Sequence, residues 1–496
     1  MKEIYLLFCL AFIILTGCES LEDTYSDYAG DGPVRYAGKC TDVKVVSGWN
    51  RLTVTWKNSL DPNIVNNKIS CSSEEYEFDT IVPANVSECN IRGLRDGAYS
   101  VTVTALLEDG GVSLSEPVFG RPYTYAHEAV CSFTQGISKH FFVGNNLVLF
   151  YNNWDENIIS IKLKYTPIGE SVAVIKELGR DEFAKKYALV KGVDVSQPVV
   201  LLRTGILTDC PDEIDFEPIV LTKDVVMQVD FKNALRERYG ETDFGEVFLS
   251  RTELELDYDL ASLEDILYFS NLKKLVLGKN RYLPNLTNTA VSFLISQEKS
   301  LFCIQVAKEI LNLEVECYGN NYFQSGTEGI IDMGLPVWPL AFELLATKGW
   351  SVNNSSPDLA PAFSSEDLLD DNASTAWEPF ASTDGLRRTF DLTIDMNALQ
   401  VVDGLKIVQA ANTKMFYFLP KSIVVRVSQD GQKWENPMFV EDNTLGAASG
   451  EATCLRFKET YNIRYVKISI ADRSYSTSTS TTLNTILGDV IPYRVK

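Results

Sequence analysis

Hydrophobic and polar positions alternate along much of the chain. Leu52, Val54 and Trp56 alternate with polar neighbours, as do Tyr99, Val101 and Val103, and Gly93, Gly97 and the pair Gly110-Gly111 punctuate these runs. A period of two puts every second side chain on one face, so the pattern predicts half-buried β-strands joined by turns. The stretch recurs. Residues 50–68 (NRLTVTWKNSLDPNIVNNK) realign onto residues 145–162 (NNLVLFYNNWDENIISIK), with Leu52 over Leu147, Val54 over Leu149, Trp56 over Tyr151 and, after one gap, Asp61 over Asp155. An offset of 95 residues predicts tandem β-sandwiches of immunoglobulin or fibronectin III type over residues 36–122 and 123–228.

After Thr252 the period changes. Leu254 and Leu256 recur 21 residues later as Leu275 and Leu277, and Leu272-x-x-Leu275-x-Leu277-x-x-Asn280 has leucine-rich-repeat spacing. Two such units cannot bury both of their faces. A short leucine-rich α/β spacer over residues 229–340 is therefore expected to pack on a helix over residues 298–313, whose Leu301, Ile304, Ala307, Ile310 and Leu311 form an apolar stripe. One mixed α/β domain with coincidental leucines is the plainer alternative. Leu335-Pro336-Val337-Trp338-Pro339 ends helix propensity, and residues 341–363 read as a linker. Strand-like runs resume over residues 389–394, 423–434, 462–470 and 487–493, so the fold class is mostly β.

The chain opens differently. Lys2 precedes an apolar run over residues 4–15, and Leu15-Thr16-Gly17-Cys18 follows. Those 12 apolar residues are too few to span a bilayer and fit a signal-peptide core over residues 1–17. The Leu-Thr-Gly-Cys ending resembles a bacterial lipobox, which implies cleavage before Cys18, its lipidation, and a tether over residues 18–35. Glu19, Glu22 and Asp23 resemble the acidic sorting signal that sends some lipoproteins to the outer face of a Gram-negative outer membrane. The expected location is the outer membrane, lipid-anchored and facing outward.

Composition and charge narrow the function. The 496 residues allow three or four domains, and the net charge of -22 repels nucleic acid and anionic membrane faces while leaving a neutral glycan unopposed. Cys40, Cys71, Cys89, Cys131, Cys210, Cys303, Cys317 and Cys454 show no Cys-x-x-Cys spacing; disulfides and free buried thiols both stay open. His127 and His140 are the two histidines, too few for His-based zinc sites or triads. No Gly-x-Ser-x-Gly elbow and no phosphate loop occurs. Carboxylate pairs of the kind glycosidases use depend on spatial separation, which 67 acidic residues leave open. The expectation is no enzyme.

Residues 368–377 (LLDDNASTAW) join an acidic, Asn-bearing turn to Thr375 and Trp377, and short side-chain oxygens favour such turns and suit calcium. Further on come Asp391-Leu392, then Ser428, Asp430, Gly431 and Trp434, then Arg464-Tyr465-Val466. In this order the segments over residues 364–496 resemble the discoidin family, also called the coagulation factor 5/8 type C domain, to which the family 32 carbohydrate-binding modules belong. The first element resembles the family's Asp-Gly-Asn-x-x-Thr-x-Trp turn, with Asp371 in place of its glycine, and Asp489 stands where the family has a terminal glutamate. The resemblance implies a jelly-roll β-sandwich with one structural calcium held by Asp370, Asn372, Thr375 and Asp489. It also implies a sugar site on the loops at one end, where this chain carries Glu378, Phe380, Arg387, Gln409, Asn412, Lys414, Phe416 and Tyr475. The first third, with Tyr36-Ala37-Gly38-Lys39 before Val43-Lys44-Val45 and Tyr99-Ser100-Val101 closing the unit, resembles domain of unknown function 4998, found in outer-membrane lipoproteins of glycan-foraging bacteria.

The sequence thus points to a cell-surface glycan-binding lipoprotein, an accessory of a polysaccharide-utilisation system with other outer-membrane glycan-uptake proteins as partners. The rival class is a non-catalytic adhesion or scaffold lipoprotein that bridges surface proteins; a glycoside hydrolase ranks behind both.

Overall fold

The computed structural model describes residues 37–257, 259–284, 294–319, 322–323, 327–354, 361–411 and 417–496. The expected signal peptide, the lipidation site Cys18 and the tether lie outside the described residues, as do Asn412, Lys414 and Phe416.

The first sandwich packs the sheet Thr41–Gly48, Arg51–Lys57 and Glu88–Arg92 on a sheet of Glu77–Pro83, Ile64–Ser72, Tyr99–Leu107 and Val118–Gly120. Alternation decides its faces: Leu52, Val54 and Trp56 are buried and the residues between them are not. In the second sandwich Ile137–Val143, Asn146–Tyr151 and Tyr187–Lys191 oppose a sheet built on Ile158–Tyr165 and Val200–Gly205. The realigned motif makes the same turn twice. The Asp61 carboxylate accepts the Asn63 N–H at 3.0 Å, and the Asp155 carboxylate accepts the Asn157 N–H at 2.9 Å.

The copies differ where polar partners have been lost. Arg51–Lys57 alternates, whereas Asn146–Tyr151 reads Leu-Val-Leu-Phe-Tyr after its first residue and is buried on both faces. Leu147, Leu149 and Tyr151 join the core of the sandwich, while Val148 and Phe150, with Phe141 and Val143, belong to the core of the α/β unit that follows. A continuous apolar run is what burial on two sides requires.

That unit holds four parallel strands in the order Glu253–Leu256, Lys274–Leu277, Glu314–Cys317, Ile331–Asp332. Leu254, Leu275 and Val315 stand level, as do Leu256, Leu277 and Cys317. The helix spans Gln297–Leu311 and ends on Asn312 at φ 57°, a left-handed cap that Asn tolerates. It buries Ile304, Ala307 and Leu311 of the expected stripe. Two further parallel strands and the second sandwich supply the surface that two leucine units lacked.

The C-terminal domain is an eight-stranded assembly in the order Phe342–Leu344, Asp489–Val495, Thr389–Val408, Ala452–Ala471, Ser422–Ser428, Asp442–Thr444. Arg281–Tyr282 of the α/β unit pairs with Ala452–Ala471, and Ser351–Asn354 pairs with Thr389–Val408. Residues 341–363 are therefore not the bare linker expected. Phe342–Leu344 and Ser351–Asn354 are short edge strands whose register comes from distant partners; Phe342 also stacks on Tyr493 at 4.9 Å.

Each junction is pinned by a basic and an acidic side chain. Arg51 binds Asp212 through Nη2 at 2.7 Å between the sandwiches. Lys139 reaches Glu264 at 3.2 Å and Asp265 at 2.5 Å between the second sandwich and the α/β unit. Arg281 binds Glu451 between the α/β unit and the C-terminal domain, at 2.6 Å through Nε and 3.1 Å through Nη2. Among the described residues no helix is long and apolar enough to cross a membrane.

Candidate functional site

The turn before Trp377 is built from side-chain oxygens. Ser364 caps the short helix Ser365–Leu369 by accepting the Glu366 N–H, and burial of Leu368 and Leu369 anchors it. Asp370 then accepts the Asn372 N–H at 3.0 Å, and the Thr375 hydroxyl lies 2.7 Å from both the Asp370 carboxylate and the Asn372 carbonyl oxygen. Asp371, at φ 53°, occupies the left-handed position that the related turn gives to glycine, and its carboxylate pairs with Lys406 at 3.0 Å. Trp377 is fully buried, exchanges main-chain hydrogen bonds with Leu487, and meets Phe390 edge-on at 5.4 Å.

Asp489 reaches this turn from the last strand. It is 1% exposed and accepts the Asn372 N–H at 3.2 Å. Burial, and then the negative charge of Asp370 within hydrogen-bonding reach, push its carboxyl up to about 7. Among the described residues no basic side chain pairs with Asp370 or Asp489. Nor do three His, Cys, Asp or Glu side chains converge there as a metal-binding group, so any cation would take its remaining ligands from main-chain and hydroxyl oxygens. Two carboxylates this close need a proton or a cation between them. The donor set fits calcium in kind.

The neighbouring loops form the exposed end of the sandwich. The Ala411 N–H donates to the Ala373 carbonyl at 2.7 Å, which ties the turn to the loop after Thr389–Val408. Ser382 and Leu483 exchange main-chain hydrogen bonds and join residues 380–388 to the hairpin Arg473–Ser476, Thr481–Asn484. Arg388 locks that contact with bonds to Asp472 at 2.6 and 3.0 Å and to the Phe380 carbonyl at 2.7 Å. Across the hairpin, Tyr475 lies against Tyr417 with ring centroids 4.2 Å apart and 31° between planes, and Phe418 meets Tyr475 edge-on. Tyr417 is 48% exposed and Phe380 56%.

The structure sorts the expected ligand residues. Phe380 and Arg387 are exposed on one loop, and Tyr475 joins the aromatic pair. Glu378 is buried, accepts from the Asn484 amide at 2.7 Å, and is pushed upward by its burial. Gln409 is a correction. At 1% exposure its amide donates to the carbonyls of Pro420 at 2.7 Å and Gly446 at 2.6 Å, so it braces two loops from inside instead of facing outward. Tyr417, Arg388 and Asn484 were not singled out. The run Tyr417-Phe418-Leu419-Pro420 reads as core, and only the Pro hints at a loop rim. Asn484 Oδ1, Thr485 Oγ1 and Trp377 Nε1 are buried without a partner among the described residues.

Two family models match this chain. The F5/8 type C domain model covers residues 351–483, and a domain of unknown function, number 4998, covers residues 18–184. No curated protein matches. Among solved structures, the chain is similar to a family 32 module (CBM32-3) of a family 31 glycoside hydrolase from Clostridium perfringens: 14% identity, 31% of this chain and 95% of that one, TM-score 0.25. A family 32 module from the same organism in complex with galactose is 9% identical over 31% of this chain and 99% of its own, TM-score 0.24. A two-domain fibronectin type III segment of chicken tenascin is 12% identical over 37% of this chain and 97% of that one, TM-score 0.18. None of these matches contributes a catalytic domain to the chain. This mostly β chain therefore carries a domain of unknown function 4998 over residues 18–184 and an F5/8 type C domain over residues 351–483.

Proposed function

We propose that the F5/8 type C domain binds a neutral glycan with the loop cluster carrying Tyr417, Tyr475, Phe380 and Arg387, and that the chain is a non-catalytic glycan receptor. One observation carries this reading. The Tyr417–Tyr475 aromatic pair, with Tyr417 48% exposed, stands at the hairpin that Ser382 and Leu483 tie to the loop of exposed Phe380 and Arg387, an apolar platform with a polar side chain on the adjoining loop of the kind small polar ligands require. Solved family 32 modules in complex with galactose and with a GalNAc-containing disaccharide are consistent with it. The charge of -22 favours a ligand without anionic groups. A glycan array with the chain from Ser20 onward tests the proposal. Binding that Tyr475→Ala abolishes supports it; silence across plant, host and fungal glycans favours the scaffold reading.

The rest of the reading follows from the first residues. Lipidation at Cys18, an outward-facing place on an outer membrane and service to a polysaccharide-utilisation system belong to the same proposal. The parallel unit is read as a short leucine-rich spacer that holds the module away from the surface. Cys18→Ala should leave the protein unlipidated, and retention of mature, lipid-labelled protein would overturn the anchor. Protease shaving of intact cells should remove the C-terminal domain.

We extend the proposal to one structural calcium ion. Asp370 and Asp489, with the Asn372 carbonyl and the Thr375 hydroxyl, would hold it. When bound, it supplies the positive charge that a buried Asp489 beside Asp370 otherwise lacks. The Asn372 N–H bond to Asp489 ties the first turn to the last strand.

A further inference from the structure

A second cleft opens where the α/β unit meets the C-terminal domain. Its volume is about 230 Å³, and one wall comes from the helix Val229–Tyr239 and the parallel strands, the other from residues 438–446 and 453–456. At ~30 Å³ of liquid volume per water it holds roughly eight waters, room for one small polar molecule.

The walls are rigid. Glu237 accepts from Thr444 across the junction, from the hydroxyl at 2.7 Å and the N–H at 3.1 Å. Arg238 pairs with Glu255, and Asp257 takes both the main-chain and the amide N–H of Asn280 at 3.0 and 2.9 Å. Arg281 is committed to Glu451 and Asp259. Three acidic and three basic side chains line the cleft, so its walls carry no net charge.

The rim is different. Phe439 crosses the helix end at Gly240, where a Cβ would stand 2.4 Å from its ring, yet the ring stays 48% exposed. Arg456 lies over the Phe342 ring at 5.0 Å and has no carboxylate partner among the described residues. An exposed ring and a planar guanidinium without a carboxylate partner among the described residues face a wall of paired polar and charged side chains. A charged ligand finds no net counter-charge there, and an apolar one would strand the polar walls. A neutral molecule bearing several hydroxyls satisfies both constraints.

We propose that this junction cleft is a second binding site, for a single neutral sugar unit, with Phe439 as its stacking face and Arg456 as a donor to its hydroxyls. The proposal rests on the cleft alone and stands or falls apart from the loop site.

Four probes test it on the full chain in detergent: D-galactose, D-mannose, D-xylose and N-acetylglucosamine. Hydrogen exchange reads protection of residues 237–240 and 438–444, and ligand-observed NMR reads affinity. At least one sugar should protect both segments in the parent and in Tyr475→Ala, and both Phe439→Ala and Arg456→Gln should weaken that binding by roughly tenfold. Arg456 is exposed, so its variant keeps the test sound even if Phe439→Ala loosens the junction. Absence of junction protection with all four sugars, or protection unchanged in Arg456→Gln, overturns the proposal. Sugar binding that Tyr475→Ala abolishes entirely would overturn it too, while leaving the loop site standing.

Discussion

Two buried carboxylates flank the same strand end, and the chain treats them oppositely. Glu451 immediately precedes Ala452, which pairs with Val408 on one side; Asp489 pairs with Val408 on the other. Glu451 is 0% exposed and saturated: Arg281 binds both its oxygens, and the Ala448 N–H donates to one at 2.9 Å. Asp489 is as deeply buried, yet it has one N–H, a neighbouring carboxyl group and no basic partner among the described residues. Burying a charge is costly unless it is paired, so the first carboxylate belongs to the architecture and the second marks a place held ready for something.

The strongest way to break this contrast is to unpair Glu451. Arg281→Ala should destabilise the chain by about 3–5 kcal/mol in denaturant melts, because it leaves the buried carboxylate alone. Replacing both partners, as in Arg281→Met with Glu451→Leu, should recover most of that loss. Similar melting of the single and double variants would show that the pair does not hold the junction.

Asp489 responds to pH and metal instead. Its folded value of about 7 lies above the unfolded value of about 4, so the native state binds the extra proton. The stability that Asp489 contributes should be fully present below about pH 4 and be lost as pH rises through 7 in chelator, a loss read as the difference between the parent and Asp489→Asn across that range. Calcium at a hundredfold excess over its dissociation constant should add about 2.7 kcal/mol and flatten that slope. Asp489→Asn should erase both effects. Equal midpoints with calcium and chelator across this range would remove the metal from the turn.

Smaller effects separate bracing from contact. Gln409→Ala should cost roughly 1–3 kcal/mol, since the Pro420 and Gly446 carbonyls lose their donor. Arg387→Ala should stay within about 0.5 kcal/mol of the parent in stability while weakening glycan binding. A binding loss for Gln409→Ala without any loss of stability would return that residue to the ligand surface.

Legibility followed distance along the chain. The turn at Asp370, the burial of Trp377 and the repeated Asx turns at Asp61 and Asp155 are local, and residue type announces them. The helix stripe and the level leucines at 254 and 275 follow from periodicity alone. Gln409 was misplaced because its sequence context, after a strand and before Ala410-Ala411-Asn412, looks like a loop, whereas its acceptors lie 11 and 37 residues away. Arg281 follows a Gly-Lys-Asn turn and looks solvated; Glu451, 170 residues away, is what buries it. The strands at 342–344 and 351–354 were invisible for the same reason, being edge strands three and four residues long.

The doubly buried strand Asn146–Tyr151 bears on how the chain comes apart. It acts as a party wall, with Leu147 and Leu149 facing one room and Val148 and Phe150 the other. Neither neighbour can open without stripping one side of that wall, so the second sandwich and the parallel unit must melt as one cooperative block. A fragment ending near residue 228 would present Phe141, Val148 and Phe150 to water as an adhesive patch. The boundary before the second sandwich is crossed by less apolar surface, chiefly Trp49 on the second core and edge-on to Tyr125, with the Arg51–Asp212 and Arg121–Glu128 pairs, so a cut there exposes fewer apolar side chains than one near residue 228.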